Sequence, residues 1–350
     1  MSLIAQEFEQ WQANKSKLQL NTLDCHTGGE PLRIITSGWP TLKGDSILAK
    51  RRDCRDNYDH LRTALMFEPR GHANMYGALI VDAERDNSHF GAIFMHNEGY
   101  STMCGHAVIA LAKFAVEAGV VKKTGEQTQV VIDVPCGQII AQAISNGDDN
   151  EIAYVTFNCV PSFMLYENKT ITLDDIGEIK FDIGFGGAFY AYVDASQINL
   201  NLAKNNYQQI IDYGRKIKSA IINNLAINHP FETDLSFLYG TIFYDNTCSD
   251  IYSKNVCIFA DGELDRSPTG SGVSGRIAIE HAKGNIALQQ NITISSILNS
   301  QFNVKAIKAL DYGSHQAVIP QVTGNAFICG RNQWYIDAND PLKDGFLLQN

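Results

Sequence analysis

The sequence predicts an α+β protein built from two similar domains, each with a central helix enclosed by strands. Three observations predict this class. Short alternating or continuous apolar runs, typical of strands, recur along the chain. Two segments rich in Ala and Ile, near Gly105–Glu117 and Gly270–Lys283, have the composition of helices buried on most sides. These two segments also resemble each other, and 350 residues suffice for two domains.

The resemblance between the two helical segments is one of spacing. The first opens with Cys104–Val108 (CGHAV) and the second with Thr269–Val273 (TGSGV), so that glycine and valine recur in register. A closing glycine, Gly119 or Gly284, follows fifteen positions after the first residue in each case. Glycine past the last turn is a common helix stop. We therefore expect a duplicated domain.

The remaining elements follow from local periodicity. A long amphipathic helix is predicted over Leu202–Asn224, and a crossover near Cys159–Ser162 leads from the first half to the second. We expect a first domain of residues 1–160 with about 335–350, and a second of residues 161–334. The predicted strands are Leu32–Thr36, Gly77–Val81, Phe90–Met95, Gln129–Val134, Gln138–Ala143, Phe181–Ile183, Phe189–Val193, Thr241–Tyr244 and Asn255–Phe259.

Composition limits the kind of ligand. The chain has 28 basic and 38 acidic residues, a formal net charge of −10, which disfavours binding to nucleic acid or an anionic membrane. Its eight cysteines form no C-x-x-C pair, so we expect neither a metal site nor a disulfide framework, and a reduced, cytoplasmic compartment. No nucleotide-binding glycine motif is present, so we expect no cofactor.

The starts of the two central helices are the candidate site. A helix N-terminus presents unpaired backbone N–H groups and the positive end of the helix dipole. Glycine at the first helical positions, Gly105 and Gly270, lets a ligand approach that backbone closely. Two such ends facing each other would hold a small carboxylate without any lysine or arginine.

Cys104, Thr269 and Asp265 are the candidate chemical groups at these ends. The dipole should lower the pKa of the Cys104 thiol, making it a base or a nucleophile, although a buried structural cysteine is the alternative. Thr269 holds the matching position in the second half, where a hydroxyl is most often an N-cap and is too weakly acidic to serve as a base unaided. Asp265 would bind a substrate ammonium or simply belong to a turn.

These residues lie in motifs that resemble the proline racemase family. Met103–His106 and Asp265–Gly270 carry the resemblance most specifically, and further matching motifs extend it over most of the chain. The further motifs are Asp24–Pro31, Glu68–His72, Phe185–Tyr190 and Thr323–Ala326.

The resemblance implies a diaminopimelate epimerase-like fold, in which two similar domains each wrap a curved sheet or barrel around a central helix and the active site lies between them. In that family two cysteines face each other across the substrate's α-carbon. This sequence has Cys104 at the first position but Thr269 at the second. That departure resembles the branch of the family that dehydrates trans-3-hydroxy-L-proline to Δ1-pyrroline-2-carboxylate, a cofactor-independent hydro-lyase reaction.

The family pattern implies a role for each pocket position. Cys104 would take the α-proton, and Thr269 would face it across the substrate. Gly105, Gly270 and Ser271 would bind the carboxylate through backbone N–H groups, while His106 and Asp265 bind the ring nitrogen. Tyr76 and Phe259 would enclose the ring, although a core position is the alternative for Phe259.

Two rival functions remain at this level. One is a proline racemase or 4-hydroxyproline 2-epimerase, which would favour a thiol at position 269. The other is a relative that binds a small imino acid without catalysis. In each case the expected partner is a small molecule, a hydroxylated proline for the dehydratase, and the protein is expected to be a monomer or a homodimer.

Overall fold

The computed structural model describes residues 3–14, 17–147, 151–247 and 250–348. The helices in these residues are α1 (Leu3–Glu9), α2 (Ile47–Met66), α3 (Gly105–Glu117), α4 (Tyr207–Asn224) and α5 (Gly270–Ala282). The strands are β1 (Leu18–Thr27), β2 (Glu30–Ser37), β3 (Tyr76–Val81), β4 (Phe90–His96), β5 (Gln127–Val134), β6 (Gly137–Ser145), β7 (Ile152–Asn158), β8 (Ser162–Leu173), β9 (Gly177–Phe185), β10 (Phe189–Asp194), β11 (Leu238–Asp245), β12 (Ser253–Phe259), β13 (Glu263–Leu264), β14 (Ile292–Ser295), β15 (Gln301–Tyr312), β16 (His315–Gly324) and β17 (Ala326–Ile336).

Strand pairing repeats in the two halves. In the first half the order of neighbours is β17-β1-β2-β3-β4-β5-β6-β7, in which β2–β3 and β4–β5 are parallel and all other pairs antiparallel. In the second half the order is β8-β9-β10-β11-β12-β14-β15-β16, in which β10–β11 and β12–β14 are parallel and the rest antiparallel. The same order of parallel and antiparallel strand pairs in both halves confirms the predicted duplication.

The second half closes into a barrel of eight strands because β16 also pairs with β8. A pairing of β16 with β7 joins the two halves. The strand that completes the first half is β17, which comes from the C-terminal end and pairs along its length with β1. The predicted boundary at residue 334 therefore falls inside a strand that is paired with the first half, and the division of the chain into domains stays a prediction.

The helices α3 and α5 are the central helices that the sequence predicts. α3 packs against β1, β2, β5, β6, β7 and β17, and α5 packs against β8, β9, β10, β15 and β16. Twelve of the thirteen residues of α3 are buried, including Lys113, whose Nζ donates to the carbonyl of Ile152 at 2.7 Å. A helix that is apolar all round must be enclosed by other elements, and the curved sheets meet this requirement.

Each central helix ends as predicted. The residues Gly119 and Gly284 follow the last turn with φ of 73° and 76°, a conformation that glycine adopts without strain. Their N–H groups donate to the carbonyls of Val116 and His281 at 3.0 Å in both cases. The closing glycines thus have the same role in the two halves.

One predicted helix is corrected, and one helix was missed. The long helix of the second half begins at Tyr207 rather than Leu202, because Ala203 is extended (ψ 153°) and a short 3₁₀ turn precedes α4. Moreover, α2 was not predicted, since its exposed face is strongly charged. A local signal was present at its start, where the Ser46 side chain accepts from the N–H of Ala49 at 3.1 Å.

Cysteine usage agrees with the expected packing role. In the described ranges Cys25, Cys54, Cys104, Cys159 and Cys257 are buried, Cys136 is half-buried and Cys329 is exposed, all as free thiols. Cys248 lies outside the described residues. No helix in the described part of the chain is long and apolar enough to cross a membrane.

The N-termini of α3 and α5 meet backbone to backbone. A Cβ built on Gly105 would lie 2.4 Å from the Cα of Gly270, and one built on Gly270 would lie 2.5 Å from the Cα of Gly105. Real Cβ atoms do not approach backbone atoms so closely, and neither obstacle is a flexible side chain. Glycine is therefore required on both sides of this contact.

We predict that Gly105→Ala lowers the free energy of unfolding by about 1–3 kcal/mol or more, because the added methyl must push the two helix ends apart. Chemical denaturation monitored by circular dichroism measures this. The control is Gly330→Ala, whose Cβ would meet no heavy atom within 4 Å and should change stability by less than about 0.5 kcal/mol. Equal stability of the two variants would contradict the tight helix contact.

Candidate active site

One cavity collects all the predicted site residues. It lies where α3 and α5 meet. The lining includes the nine residues expected from the sequence, Tyr76, Cys104, Gly105, His106, Phe259, Asp265, Thr269, Gly270 and Ser271. Three more residues contribute that the sequence analysis did not assign to the site, namely Met103, Tyr190 and Tyr239. The predicted residues thus come together in space.

The residue before each helix projects into this cavity. Cys104 is the extended residue before α3 (φ −144°, ψ 102°), and Thr269 is its counterpart before α5. The amides of the first turn of a helix have no intrahelical acceptor, so α3 and α5 both direct such N–H groups at the cavity. Among the described residues that line it there is no lysine or arginine. The arrangement suits an anion bound by backbone groups and helix dipoles.

Burial sets the acidity of Cys104. The side chain is 4% exposed, and its Sγ lies 3.2 Å from Nδ1 of His106. Desolvation raises the pKa of the thiol well above its ordinary value, and the N–H of Ala107 and the hydroxyl of Tyr76 oppose this only in part. The expectation of a lowered thiol pKa is therefore wrong for the protein alone, because loss of hydration outweighs the hydrogen bonds from Ala107 and Tyr76.

His106 is held as a neutral imidazole. Burial is the main cause that lowers its pKa, and the nearby Asp265 and the carbonyl of Pro31 only partly counteract it. Its backbone carbonyl accepts a hydrogen bond from Oγ1 of Thr27 at 2.8 Å. A neutral imidazole has one donor and one acceptor nitrogen, so one ring nitrogen of His106 can donate to the carbonyl of Pro31 while the other accepts from the thiol or from a ligand.

Asp265 organises the second helix start. Its Oδ2 accepts from Oγ1 of Thr269 at 2.8 Å, and its Oδ1 accepts from the N–H of Ser267 at 2.7 Å. The hydroxyl proton of Thr269 is therefore directed at Asp265, which leaves the oxygen lone pairs for a ligand. Thr269 has a φ of 68°, which is unusual for a β-branched residue, and the N–H of Thr269 bonds to Oγ of Ser267 at 3.1 Å.

A second buried carboxyl group, that of Glu30, supports this loop from the other half of the molecule. Glu30 is fully buried and its Oε2 accepts from the backbone N–H of Arg266 at 2.7 Å. Burial and the neighbouring charge of Asp265 raise the pKa of Glu30 well above its ordinary value. Glu30 lies in the quoted motif Asp24–Pro31, but its contact with a residue more than 200 positions away could not be read from sequence.

Aromatic rings enclose the cavity. Tyr76 packs edge-on against His106 with ring centroids 4.9 Å apart, and against Phe259 at 6.0 Å. Its hydroxyl contacts Oγ of Ser101, and burial raises its pKa. Tyr239 packs against Phe259 at 5.5 Å and against Tyr190 at 5.7 Å. The rings exclude water, which strengthens the polar interactions inside.

The residues missed from sequence carried unequal signals. Met103 and Tyr190 belong to motifs that resemble the proline racemase family, Met103–His106 and Phe185–Tyr190, so the sequence did carry a signal for both as site residues. The hydroxyl of Tyr190 shares a hydrogen bond with Oγ of Ser271 at 2.8 Å. Tyr239 lies in an ordinary buried strand and carried no local signal. Within the described residues no group of three or more His, Cys, Asp or Glu side chains could hold a metal ion.

Comparison with known proteins identifies the family. The family model described as Proline racemase matches residues 22–347. A protein of Colwellia psychrerythraea strain 34H named trans-3-hydroxy-L-proline dehydratase is 62% identical over 349 residues, which cover 99% of this chain and 98% of the relative. A Homo sapiens protein of the same name is 43% identical over 338 residues, 94% of this chain and 95% of the relative.

Solved structures agree. A hydroxyproline epimerase from Agrobacterium vitis with bound trans-4-hydroxy-L-proline matches with a TM-score of 0.91 at 28% identity, over 96% of both chains. A probable proline racemase from Agrobacterium radiobacter K84 with bound carbonate has a TM-score of 0.90 at 28% identity, over 94% of this chain and 96% of the other. These confirm the predicted fold class. By sequence and by structure, over nearly its whole length, the chain belongs to the proline racemase family.

Proposed function

We propose that this protein is a hydro-lyase that converts trans-3-hydroxy-L-proline to Δ1-pyrroline-2-carboxylate and water, with Cys104 as the base for the α-proton. The observation that carries the proposal is the pairing of one thiol with one hydroxyl at the two helix ends, Cys104 and Thr269. A racemase needs a proton donor on the second face of the α-carbon, and the hydroxyl of Thr269 donates instead to Asp265.

The substrate fits the cavity by charge. Its carboxylate would lie against the N–H groups of Gly105, Gly270 and Ser271, where both helix dipoles are positive. Its ring ammonium would lie against Asp265 and His106. The ring carbons would contact Tyr76 and Phe259. Each half of the zwitterion thus meets a group of complementary charge or dipole.

The charge of the substrate also activates the base. In the protein alone burial keeps the Cys104 thiol protonated. A ring ammonium bound within a few ångströms is an opposite charge, which favours the thiolate and lowers the pKa of Cys104 in the complex. The thiol proton passes to solvent, because burial lowers the pKa of His106 and an ammonium beside it would lower that pKa further.

Stereochemistry then assigns the next step. In trans-3-hydroxy-L-proline the hydroxyl and the carboxylate lie on opposite ring faces, so the hydroxyl and the α-hydrogen lie on the same face. Cys104 takes the α-proton, the Cα–H electron pair forms the Cα=Cβ bond, and the C–O bond breaks. The thiol, on the same face, returns that proton to the leaving hydroxide as water. The resulting enamine tautomerises to the cyclic imine, with no acid needed from Thr269.

The assignment allows further proposals on context. The expected partner is the small substrate alone. One chain supplies every residue that lines the cavity, so a monomer or a homodimer would both be active. We place the enzyme in the cytoplasm, and this is supported by the free state of all seven cysteines in the described residues.

The first test is turnover. We predict that the parent protein forms a cyclic imine from trans-3-hydroxy-L-proline, and that Cys104→Ser lowers the rate by about 10²–10⁴-fold because the base is lost. Trapping of the imine with o-aminobenzaldehyde measures it, and Cys329→Ser, at an exposed thiol, is the matched control. If 3- or 4-hydroxyproline is inverted at the α-carbon and no cyclic imine forms, the protein is an epimerase instead. If the parent protein binds trans-3-hydroxy-L-proline without turning it over, and Cys104→Ser still binds it, the protein would be a non-catalytic relative.

The second test is the pH dependence of the thiol. Since burial raises the pKa of Cys104, the neutral thiol persists at pH values where an ordinary cysteine is already ionised. We predict that alkylation of Cys104 by iodoacetamide, followed by peptide mass spectrometry, accelerates up to and beyond pH 9. Glutathione, the reference thiol, levels off near its own pKa. A rate for Cys104 that levels off near pH 7 would contradict the desolvated thiol.

The raised pKa of Cys104 in the free protein also predicts different pH profiles for kcat and kcat/KM. The value of kcat/KM reports the free enzyme and kcat the complex. We therefore expect the rise of kcat with pH to occur at a lower pH than the rise of kcat/KM, because the bound ammonium favours the thiolate.

The third test concerns the second face. We predict that Thr269→Cys gains exchange of the α-hydrogen of trans-4-hydroxy-L-proline with inversion, because a thiol then faces Cys104 across the α-carbon. Deuterium incorporation in D₂O, followed by chiral chromatography, detects this. Thr269→Ser retains a hydroxyl for Asp265 and is the control, expected to dehydrate and not to invert. If Thr269→Cys exchanges no more deuterium than Thr269→Ser, the two-faced geometry is wrong.

A further inference from the structure

A second cavity lies directly beside the substrate cavity. We call this second cavity the vestibule. Residues from both halves line it, namely Arg51, His96, Glu98, Gly99, Tyr100, Lys218, Phe237, Leu238, Tyr239 and Ala260. Glu98 is exposed, so the vestibule reaches the protein surface. It therefore lies between solvent and the buried site.

Tyr239 separates the two cavities. It is the one residue, among those described as lining either cavity, that lines both. Its ring packs against Phe259 on the substrate side and against His96 on the vestibule side, with centroids 5.5 and 5.7 Å apart. Every side chain that lines the substrate cavity is buried, so a substrate must displace part of the wall to enter. Rotation of the Tyr239 ring would connect the vestibule with the substrate cavity.

The vestibule carries the cations that the substrate cavity lacks. Arg51 on α2 donates from Nη2 to the carbonyl of Tyr100 at 2.8 Å, and its Nε is buried with no hydrogen-bond partner in the described residues. Lys218 on α4 donates from Nζ to the carbonyl of Ala260. Both cations are anchored by neutral carbonyls rather than by carboxylates. Burial is the main cause that lowers the pKa of each, as expected of incompletely solvated cations.

Two cations line the vestibule of an acidic protein. Against Arg51 and Lys218 the lining has one acidic side chain, Glu98, and the carboxylates of Asp234, Asp261 and Glu263 act on the two cations from outside the lining. The whole chain has a net charge of −10, which repels a free carboxylate at long range. A local pair of cations at the entrance would weaken this repulsion where the substrate must pass. An arginine with an unused N–H can also hold a carboxylate by a directed hydrogen bond.

We propose that the vestibule is an anion-capture site for the incoming substrate, where Arg51 and Lys218 hold the carboxylate before the ring of Tyr239 moves aside. The inference rests on the proposed function in taking the ligand to be a cyclic imino acid. The carboxylate then passes from two side-chain cations to the N–H groups of α3 and α5. The two sites act in sequence, one in capture and one in chemistry.

The test uses the association rate of the substrate. In a Cys104→Ser background trans-3-hydroxy-L-proline binds without turnover, and stopped-flow tyrosine fluorescence gives the rate constant. We expect Arg51→Gln and Lys218→Gln each to lower it about tenfold at low ionic strength. Glu98→Gln should raise it, since a repulsive charge is removed. All these differences should vanish above roughly 0.5 M salt, where charges are screened over a few ångströms.

Matched controls separate location from total charge. Lys343→Gln, near the C-terminal end, and Lys216→Gln on α4 remove exposed cations paired with Asp344 and Asp175 outside the vestibule. These variants change the net charge equally and should leave the association rate within about twofold. In proteins that retain Cys104, kcat/KM should fall in Arg51→Gln and Lys218→Gln while kcat stays unchanged.

The outcomes separate this inference from the proposed function. If the parent forms the imine but Arg51→Gln and Lys218→Gln associate as fast as the controls, the vestibule is not a capture site and the enzyme assignment stands. A fall in kcat equal to the fall in kcat/KM would also overturn capture, since it would place these residues in the chemical step. If the parent neither binds nor dehydrates the imino acid, both proposals fail.

Discussion

The contact between the backbones of Gly105 and Gly270 is the constraint on which the rest of the site depends. A Cβ on either residue would lie within 2.5 Å of the Cα of the other, so no side chain fits between the two helix ends. Cys104 and Thr269 directly precede these two glycines, and the contact therefore places both side chains at one small cavity. It also brings together two sets of N–H groups and two positive dipole ends.

Such close packing removes water, and this dry environment controls ionisation. Burial raises the pKa of Cys104 and of Glu30 and lowers that of His106, so each group favours its neutral form. In the proposed reaction a zwitterionic substrate would supply the charges that the free site disfavours, with its carboxylate at the helix ends and its ammonium beside Asp265 and a Cys104 thiolate. Binding of the substrate would then also activate the proposed base.

The fold is symmetric, but the chemistry is not. Both halves repeat the same order of parallel and antiparallel strands around one central helix, yet α3 follows a thiol and α5 follows a hydroxyl. The difference extends to the backbone, since Cys104 is extended and Thr269 has a φ of 68°. Asp265 stabilises that second conformation through Thr269 and Ser267. Dehydration needs proton transfer on one ring face only, and this asymmetry is consistent with it.

Both central helices, their closing glycines, the duplication and the nine residues that meet in the cavity could be predicted from the sequence. The helices, their closing glycines and the duplication follow from local signals, because helix stops, apolar runs and motif spacing act within a few residues of the chain. Tyr76, Phe259 and Ser271 were implied only by the resemblance to the proline racemase family. Four features follow only from the tertiary structure. They are the pairing of β17 with β1, the position of Tyr239 in the wall of the cavity, the contact of Glu30 with Arg266 and the raised pKa of the Cys104 thiol. Each of these depends on groups distant in the chain. Desolvation in particular is the summed effect of every residue that excludes water from Cys104, and no pattern around residue 104 encodes it.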